Sequence, residues 1–350
     1  MQIVTTLPSA TELVVALGLE PAGVSHECDW PPRVESGPSI TRSRIDTDGS
    51  SSEIDQQVLD VVEDAHSESE TAGDDDETGD TPGVYDIDTD TPGVYDIDTD
   101  TLAALDPDLV ITQGMCDVCA VDDIAIADAL ESIPANPELL TTDPHSMADV
   151  LSDLERIGRA TGREERAAEV RAELESRVDR VRERTRDCTP QERPRVAIFD
   201  WTDPVMIAGH WTAELVEWTG GEYGLADVGE RSRPREWDEI REYDPECLVV
   251  APCGFGLEQT AANIGELTER EGWDELTAVQ EERVWVMDGN HYLNRPGPRL
   301  VDTLEALAPV IRPDLFGDSS DPATADELVV SLDALEKNIE TDRAAAGRQP

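Results

Sequence analysis

Cys116 and Cys119, separated by two residues, have the spacing of a redox dithiol or of half a tetrahedral metal site. A redox dithiol needs depressed thiol pKa values. Asp122 and Asp123 follow almost at once, and negative charge raises them. A zinc-type site needs further donors, and His26, Cys28 and Cys253 are the ones a fold could bring near. The candidate metal ligands are therefore His26, Cys28, Cys116 and Cys119, against the alternative that these are packed, inert thiols. Cys188 and Cys247 sit in no motif and read as inert. The chain has no Gly-rich phosphate loop, Gly-x-Ser-x-Gly elbow or His-Glu-x-x-His, and no carboxylate pair stands out among 79 acidic residues. No enzyme is expected.

The elements that must position these residues follow an α/β rhythm. Ile3–Thr6 is a β-branched run; Ser9 with Glu12 is then spaced as a capping box for a helix that continues through Leu13–Leu17 and closes at Gly18. A short strand is expected at Ala22–Ser25, a helix from Ser52 to about Asp64, a strand at Leu109–Thr112, a helix near 121–131 and an edge strand near 138–142. Apolar stripes through Met147, Leu154, Ile157, Val170, Leu174 and Val181 describe about forty residues of helix, which Gly158 and Gly162 could kink. The alternation then restarts with strands at Val196–Phe199, Leu248–Ala251 and Val284–Met287. Helices are expected near 236–243, 257–270 and 298–307, and a last one around Leu328–Ile339. Such a pattern predicts parallel sheets, with ligands bound beyond the carboxyl ends of the strands. The loops there (7–11, 26–30, 113–120, 201–211, 252–256, 288–297) hold three of the five His, four of the six Cys, and Trp30, Trp201 and Trp211. Soft donors and aromatics gathered in loops mark a ligand site.

The domains divide as an N-terminal lobe 1–142, a connecting helix 143–190, a C-terminal lobe 191–312 and an acidic peripheral tail 313–350. Within the first lobe, residues 65–93 carry almost nothing that could be buried and read as a disordered insertion. It runs into a perfect tandem repeat, since residues 81–90 recur as 91–100; the second copy leads directly into the next strand and reads as the native one. The Asp-x-Asp pattern of the repeat lacks the Gly and closing Glu of a calcium loop.

The net charge is −52, and Lys337 is the single lysine beside 26 arginines. No Lys or Arg lies between Arg44 and Arg156, so general affinity for nucleic acid is excluded. Strong acidity with almost no lysine resembles a haloarchaeon-like halophile, whose carboxylates hold water and cations at molar salt. The first residues lack the basic and apolar regions of a signal peptide, and no apolar run could span a membrane. On these residues alone the location reads as cytoplasmic, or as cell-surface if an export signal has been trimmed or export takes another route.

Three groups of motifs carry a resemblance to a family. Leu7-Pro8-Ser9-Ala10-Thr11-Glu12, Gly23-Val24-Ser25-His26-Glu27-Cys28-Asp29 with Pro31-Pro32, and Thr41-Arg42-Ser43-Arg44-Ile45-Asp46 resemble ABC-transporter substrate-binding proteins for vitamin B12 and ferric siderophores. Gly209-His210-Trp211, Ala251-Pro252-Cys253-Gly254-Phe255 and the run from Asp288 to Leu300 are similar to its cobalamin-binding branch. The resemblance spans about residues 2–312, interrupted by the insertion. It implies a class III periplasmic-binding-protein-like fold: two Rossmann-like α/β lobes with parallel sheets, joined by a long rigid helix. It implies a monomer that captures cobalamin or another corrinoid between the lobes, carries no covalent cofactor and serves an ABC permease. The alternatives are a ferric-siderophore or haem ligand, or a cytoplasmic metal or redox protein. Toward a corrinoid, Trp30, Trp201, Trp211 and Phe255 would supply ring faces. Ser9, Asn290 and Arg295 would reach edge amides, His26 or His210 would approach the metal, and Cys28, Cys253 and Tyr292 would complete the ligand set.

Overall fold

The computed structural model describes residues 1–69, 93–115, 120–121, 123–317, 328–335 and 337. The first repeat copy, most of the expected insertion, Cys116 and Cys119 lie outside these residues. The chain divides into two compact units. One comprises Met1–Pro144 and Ala148–Ala172, the other His145–Met147 and Glu173–Pro350.

The first unit is built on three parallel strands in the order β1-β4-β5: β1 (Ile3–Thr5), β4 (Leu109–Gln113) and β5 (Glu138–Thr142). β5 lies at the edge of this sheet, as expected for the strand near 138–142. Helix α1 (Pro8–Ala16) follows β1, but not by the expected capping box. Leu7 is the N-cap, no side chain caps it, and Pro8 at the first helical position starts the turn. Ser9 and Glu12 are instead buried. The strand expected at Ala22–Ser25 reduces to two isolated bridges, Val4 with Gly23 and Val24 with Ser39. An antiparallel pair, β2 (Thr41–Ser43) with β3 (Tyr95–Ile97), draws its second strand from the second repeat copy. Helix α2 (Ser51–Ser69) extends past the expected start of the insertion. Helices α3 (Thr99–Leu105) and α4 (Asp123–Glu131) complete the unit, and Val4, Ile40, Leu102, Val110 and Ile126 form its core.

The expected forty-residue helix is two helices, α5 (Met147–Thr161) and α6 (Glu164–Thr185). Gly162 adopts φ +66° and Arg163 N–H bonds back to Gly158 O at 2.7 Å, which ends α5 where only a glycine is unstrained. α6 carries Glu164 and Glu165 in its first turn and Arg182 and Arg184 in its last, matching its dipole at both ends. The chain passes from the first unit to the second inside α6.

The second unit holds a six-stranded sheet in the order β11-β10-β9-β6-β7-β8. β6 (Val196–Thr202), β9 (Cys247–Val250) and β10 (Val284–Met287) are parallel and buried; β7 (Val205–Ile207), β8 (Arg233–Pro234) and β11 (Val329–Ser331) flank them antiparallel. The sheet is therefore mixed. β7 occupies what reads in sequence as a loop, and β11 brings part of the expected peripheral tail into the sheet, with Leu328, Val329 and Leu332 buried. The layers are covered by α7 (Thr212–Trp218), α8 (Trp237–Tyr243), α9 (Leu257–Asn263), α10 (Gly265–Thr268), α11 (Thr277–Gln280), α12 (Leu300–Ile311) and α13 (Pro313–Phe316). The helix expected at 257–270 is split into α9 and α10. No described helix is long and apolar enough to cross a membrane.

Candidate functional site

In the first unit, a layer of hydroxyls closes the carboxyl ends of the strands. Thr5 and Thr11 Oγ1 are 2.6 Å apart, Thr6 donates to Thr112 Oγ1 at 2.9 Å, and Thr142 donates to Thr112 O at 3.0 Å. All are buried, and each hydroxyl is satisfied locally, so the layer fixes the loops above it rather than presenting donors. Cys28 belongs to this layer: its buried Sγ lies 3.1 Å from Thr11 Oγ1. Ser9 is buried beneath the surface of α1.

His26 turns elsewhere. Its backbone N–H donates to Thr41 Oγ1 at 3.1 Å, its Nδ1 lies 2.8 Å from the same oxygen, and Thr41 donates on to Ser25 Oγ at 2.9 Å. The ring stands 5.8 Å from that of Tyr95, whose hydroxyl donates to Glu27 Oε1 at 3.2 Å. The residue remains exposed, yet partial burial of the ring lowers its pKa from the ordinary 6.5, keeping the imidazole neutral and able to act as a ligand. Trp30, four residues on, is 46% exposed, an uncommon state for an indole. Tyr95 escapes a reading from motifs, because only the repeat signals that its segment is a strand.

Of the expected metal set His26, Cys28, Cys116 and Cys119, only His26 and Cys28 lie among the described residues. The two side chains bond to different hydroxyls, and among the described residues no group of three or more His, Cys, Asp or Glu converges as a metal centre. Cys247 is fully buried and its thiol pKa is pushed up to about 11 by desolvation, while Cys188 Sγ accepts from Arg312 at 2.9 Å. A metal or redox protein built on these thiols finds no support in the described residues.

In the second unit, two loops are stitched together beyond the sheet. Gly289 and Asn290 N–H both donate to Phe255 O, at 3.0 and 3.1 Å, and Asn294 Nδ2 donates to Ala251 O at 3.0 Å. A Cβ on Gly289 would stand 2.1 Å from Pro252 O, so only glycine allows this approach. Residues 289–293 form one turn of π-helix rather than an open loop, capped by Asp288, which accepts from His291 N–H at 2.7 Å. Arg295 is buried and donates to Asn290 Oδ1 at 3.0 Å; it braces the turn. Tyr292 is half-buried under the Arg299 guanidinium, 5.0 Å from its ring; desolvation raises its pKa and the guanidinium partly opposes the rise. Cys253 is half-buried, its N–H donating to Asp200 O at 2.9 Å.

The aromatic set divides. Phe255 and Trp211 are core residues, 2% and 4% exposed. The Trp211 indole N–H donates to Leu293 O at 2.9 Å, and its ring stacks on His210 at 5.5 Å. Neither offers the free ring face the sequence suggests, because packing against the stitched loops has used it. Trp201 lies in β6, not in a loop; it is partly exposed, its ring 5.4 Å from that of Phe255, and its buried indole nitrogen has no hydrogen-bond partner. Of this set the less buried rings are Trp30 in the first unit, 46% exposed, and Trp201 in the second, partly exposed.

A register shift between Phe199 and Trp201 places Asp200 in a bulge of β6. Its carboxyl is buried; Ser232 donates to Oδ2, while Oδ1 has no partner. Burial raises its pKa to about 7, against which the Ser232 hydrogen bond acts only in part. Ser232 Oγ also accepts from Gly209 N–H at 2.9 Å, so the bulge carboxyl holds the loop that carries His210.

A profile of the periplasmic binding protein family matches residues 45–290. The chain belongs to that family. An uncharacterised ABC transporter substrate-binding lipoprotein of Bacillus subtilis is 28% identical over 218 residues, which cover 61% of this chain and 64% of that relative. Among solved structures, the vitamin B12-binding protein of Vibrio cholerae superposes with a TM-score of 0.60 at 17% identity, covering 89% of this chain and 96% of that one. A periplasmic haem-binding protein of Pseudomonas aeruginosa gives 0.62 at 18%, covering 90% and 93%. A possible iron-binding protein of Staphylococcus epidermidis gives 0.61 at 18%, covering 89% and 98%. At these identities the likeness establishes the fold: the two-unit α/β architecture of the periplasmic binding proteins.

Proposed function

We propose that this protein is the substrate-binding component of an ABC-type uptake system, a carrier rather than a catalyst, and that it captures a corrinoid such as cobalamin for a permease. The observation that carries the reading is Trp30, whose indole is left 46% exposed in a loop otherwise pinned by His26, Thr41 and Ser25. A broad, flat, partly apolar macrocycle is the ligand that such a face fits. The exposed, neutral imidazole of His26 is the candidate axial donor; His210 directs its Nδ1 to His145 and is the weaker one.

The similarity in fold to a vitamin B12-binding protein and a haem-binding protein supports a metal macrocycle as the class. The motifs at 209–211, 251–255 and 288–300, which are similar to the cobalamin-binding branch, favour the corrinoid within it. The lipoprotein named in Bacillus subtilis supports a cell-surface location in place of the cytoplasmic one suggested by the first residues.

Tryptophan quenching in molar KCl tests the assignment. Cyanocobalamin is expected to quench saturably, and Trp30→Ala to weaken binding at least tenfold, the effect of losing an aromatic anchor worth about 2 kcal/mol. Saturable quenching by haemin alone would transfer the assignment to haem. No saturation by either would remove the macrocycle altogether.

A further inference from the structure

His145 and His210 form a pair in which the corrinoid reading gives His145 no part and His210 only that of the weaker axial candidate. Their Nδ1 atoms are 3.2 Å apart, their ring centroids 5.1 Å apart, and both belong to the second unit. We propose that this pair is a bidentate site for a hydrated borderline divalent cation, of the Zn²⁺, Cu²⁺ or Ni²⁺ class.

The geometry argues for convergence on a shared ion. Two imidazole nitrogens bound tetrahedrally to one ion at about 2.05 Å stand roughly 3.3 Å apart, with ring centroids roughly 5.2 Å apart. Both observed distances lie close to this arrangement, with the rings meeting at 43°, and without an ion the same 3.2 Å contact serves as an N–H···N hydrogen bond that the cation would replace. Imidazole is the nitrogen donor preferred by late first-row divalent ions, and two protein donors leave the remaining positions to water or an incoming chelate.

The pair is also prepositioned. His210 is held at φ +53°, a conformation that costs a non-glycine residue energy and marks a constrained site. Its N–H donates to Glu230 O and its carbonyl accepts from Gly229 N–H at 3.0 Å. The preceding Gly209 packs so closely that a Cβ would lie 2.3 Å from Glu230 O and from Ser232 N. On the other side, Met147 N–H donates to Glu214 Oε2 at 2.9 Å, tying the His145–Met147 segment to α7, the helix that follows His210.

The same geometry separates this site from a macrocycle metal. A corrin or haem ion has four in-plane nitrogens and leaves only two positions, on opposite faces of the ring, about 4 Å apart. Two imidazoles 3.2 Å apart on one side cannot both reach it. The cation bound here is therefore a distinct one, and the proposal stands or falls independently of the ligand named above.

Copper(II) titration followed by electron paramagnetic resonance tests it, in molar KCl with thiols blocked by N-ethylmaleimide. Wild-type protein is expected to bind one equivalent with hyperfine coupling to two imidazole nitrogens. His145→Gln and His210→Asn each remove one donor, and asparagine tolerates the left-handed backbone at 210. Each is expected to weaken that equivalent at least tenfold, no less than the roughly 10- to 100-fold loss typical of an outer partner. Oxygen-only coordination in the wild type, or a two-nitrogen signal surviving in both variants, would overturn the site. Should a variant fail to fold, zinc titration of the wild type read by imidazole ¹⁵N shifts decides: Nδ1 of both residues moves, or the proposal is wrong.

Discussion

Trp211 donates its indole N–H to the carbonyl oxygen of Leu293 at 2.9 Å, joining the turn after β7 to the π-helical turn after β10 across 82 residues of chain. The contact makes Trp211 a keystone of the second unit rather than a ligand face. Replacing it with alanine is expected to cost about 3–5 kcal/mol, the range for a buried aromatic, and to lower the melting temperature by several degrees. Trp211→Phe keeps most of the packing but leaves Leu293 O without its donor, for about 1–3 kcal/mol. Thermal melts of both variants, without ligand, check the order. A Trp211→Ala protein as stable as wild type would show the ring to be free after all.

Asp200 predicts a pH dependence. Its carboxyl titrates at about 7 in the folded protein against an ordinary 3.8, so the folded state holds the proton more tightly than the unfolded one. Stability from this group is fully present below about pH 4 and is lost as pH rises to about 7. Asp200→Asn keeps an oxygen to accept from Ser232 and removes the titration. The variant is expected to melt above wild type at pH 8 and to converge with it near pH 4. Parallel melting curves across that range would contradict the buried, protonated carboxyl.

The strands Leu109–Gln113 and Val284–Met287 are legible in sequence because a strand buried on both faces needs a continuous β-branched or apolar run, and few other segments supply one. β7 is not legible: three residues following Asp203-Pro204 carry no periodicity, and only pairing with β6 makes them a strand. β11 lies beyond an acidic stretch whose composition points outward, yet Val329 and Val330 complete the sheet edge. The loops holding the aromatics could be located from strand ends, but not which rings face out. Trp211 and Trp30 are equivalent in sequence, and tertiary packing alone buries one and exposes the other. His145 carried no signal at all, since its partner stands 65 residues away in a different motif.

Gly289 offers a direct check of the stitched loops. A methyl group there meets Pro252 O at 2.1 Å and Ala251 O at 2.6 Å, both backbone atoms that cannot swing aside. Gly289→Ala must part the loops, breaking the bonds from Gly289 and Asn290 to Phe255 O and loosening the floor under Trp201. The expected result is a loss of at least 2 kcal/mol, in line with overpacking, and faster amide exchange at 289 and 290. Unchanged exchange at both amides would mean that the loops are not held together as described.

Salt dependence follows from the surface. Of 106 charged residues, 79 are acidic, and the 26 arginines with Lys337 cannot pair them all. Many of the ion pairs present are exposed, such as Arg33 with Glu20 and Arg166 with Glu169; pairs of this kind contribute little and are screened further by salt. Losing them at high ionic strength therefore costs almost nothing. The repulsion among unpaired carboxylates, by contrast, opposes compaction of the whole chain and falls as the Debye length shrinks from about 30 Å at 0.01 M to about 3 Å at 1 M. The balance predicts stabilisation by salt: the melting temperature rises from millimolar to molar KCl, and small-angle scattering shows expansion when salt is removed. Sucrose, which stabilises without screening, separates charge from general solute exclusion, and is expected to rescue the low-salt state poorly. A melting temperature unchanged between the two salt concentrations would show that the carboxylates are already accommodated by the fold.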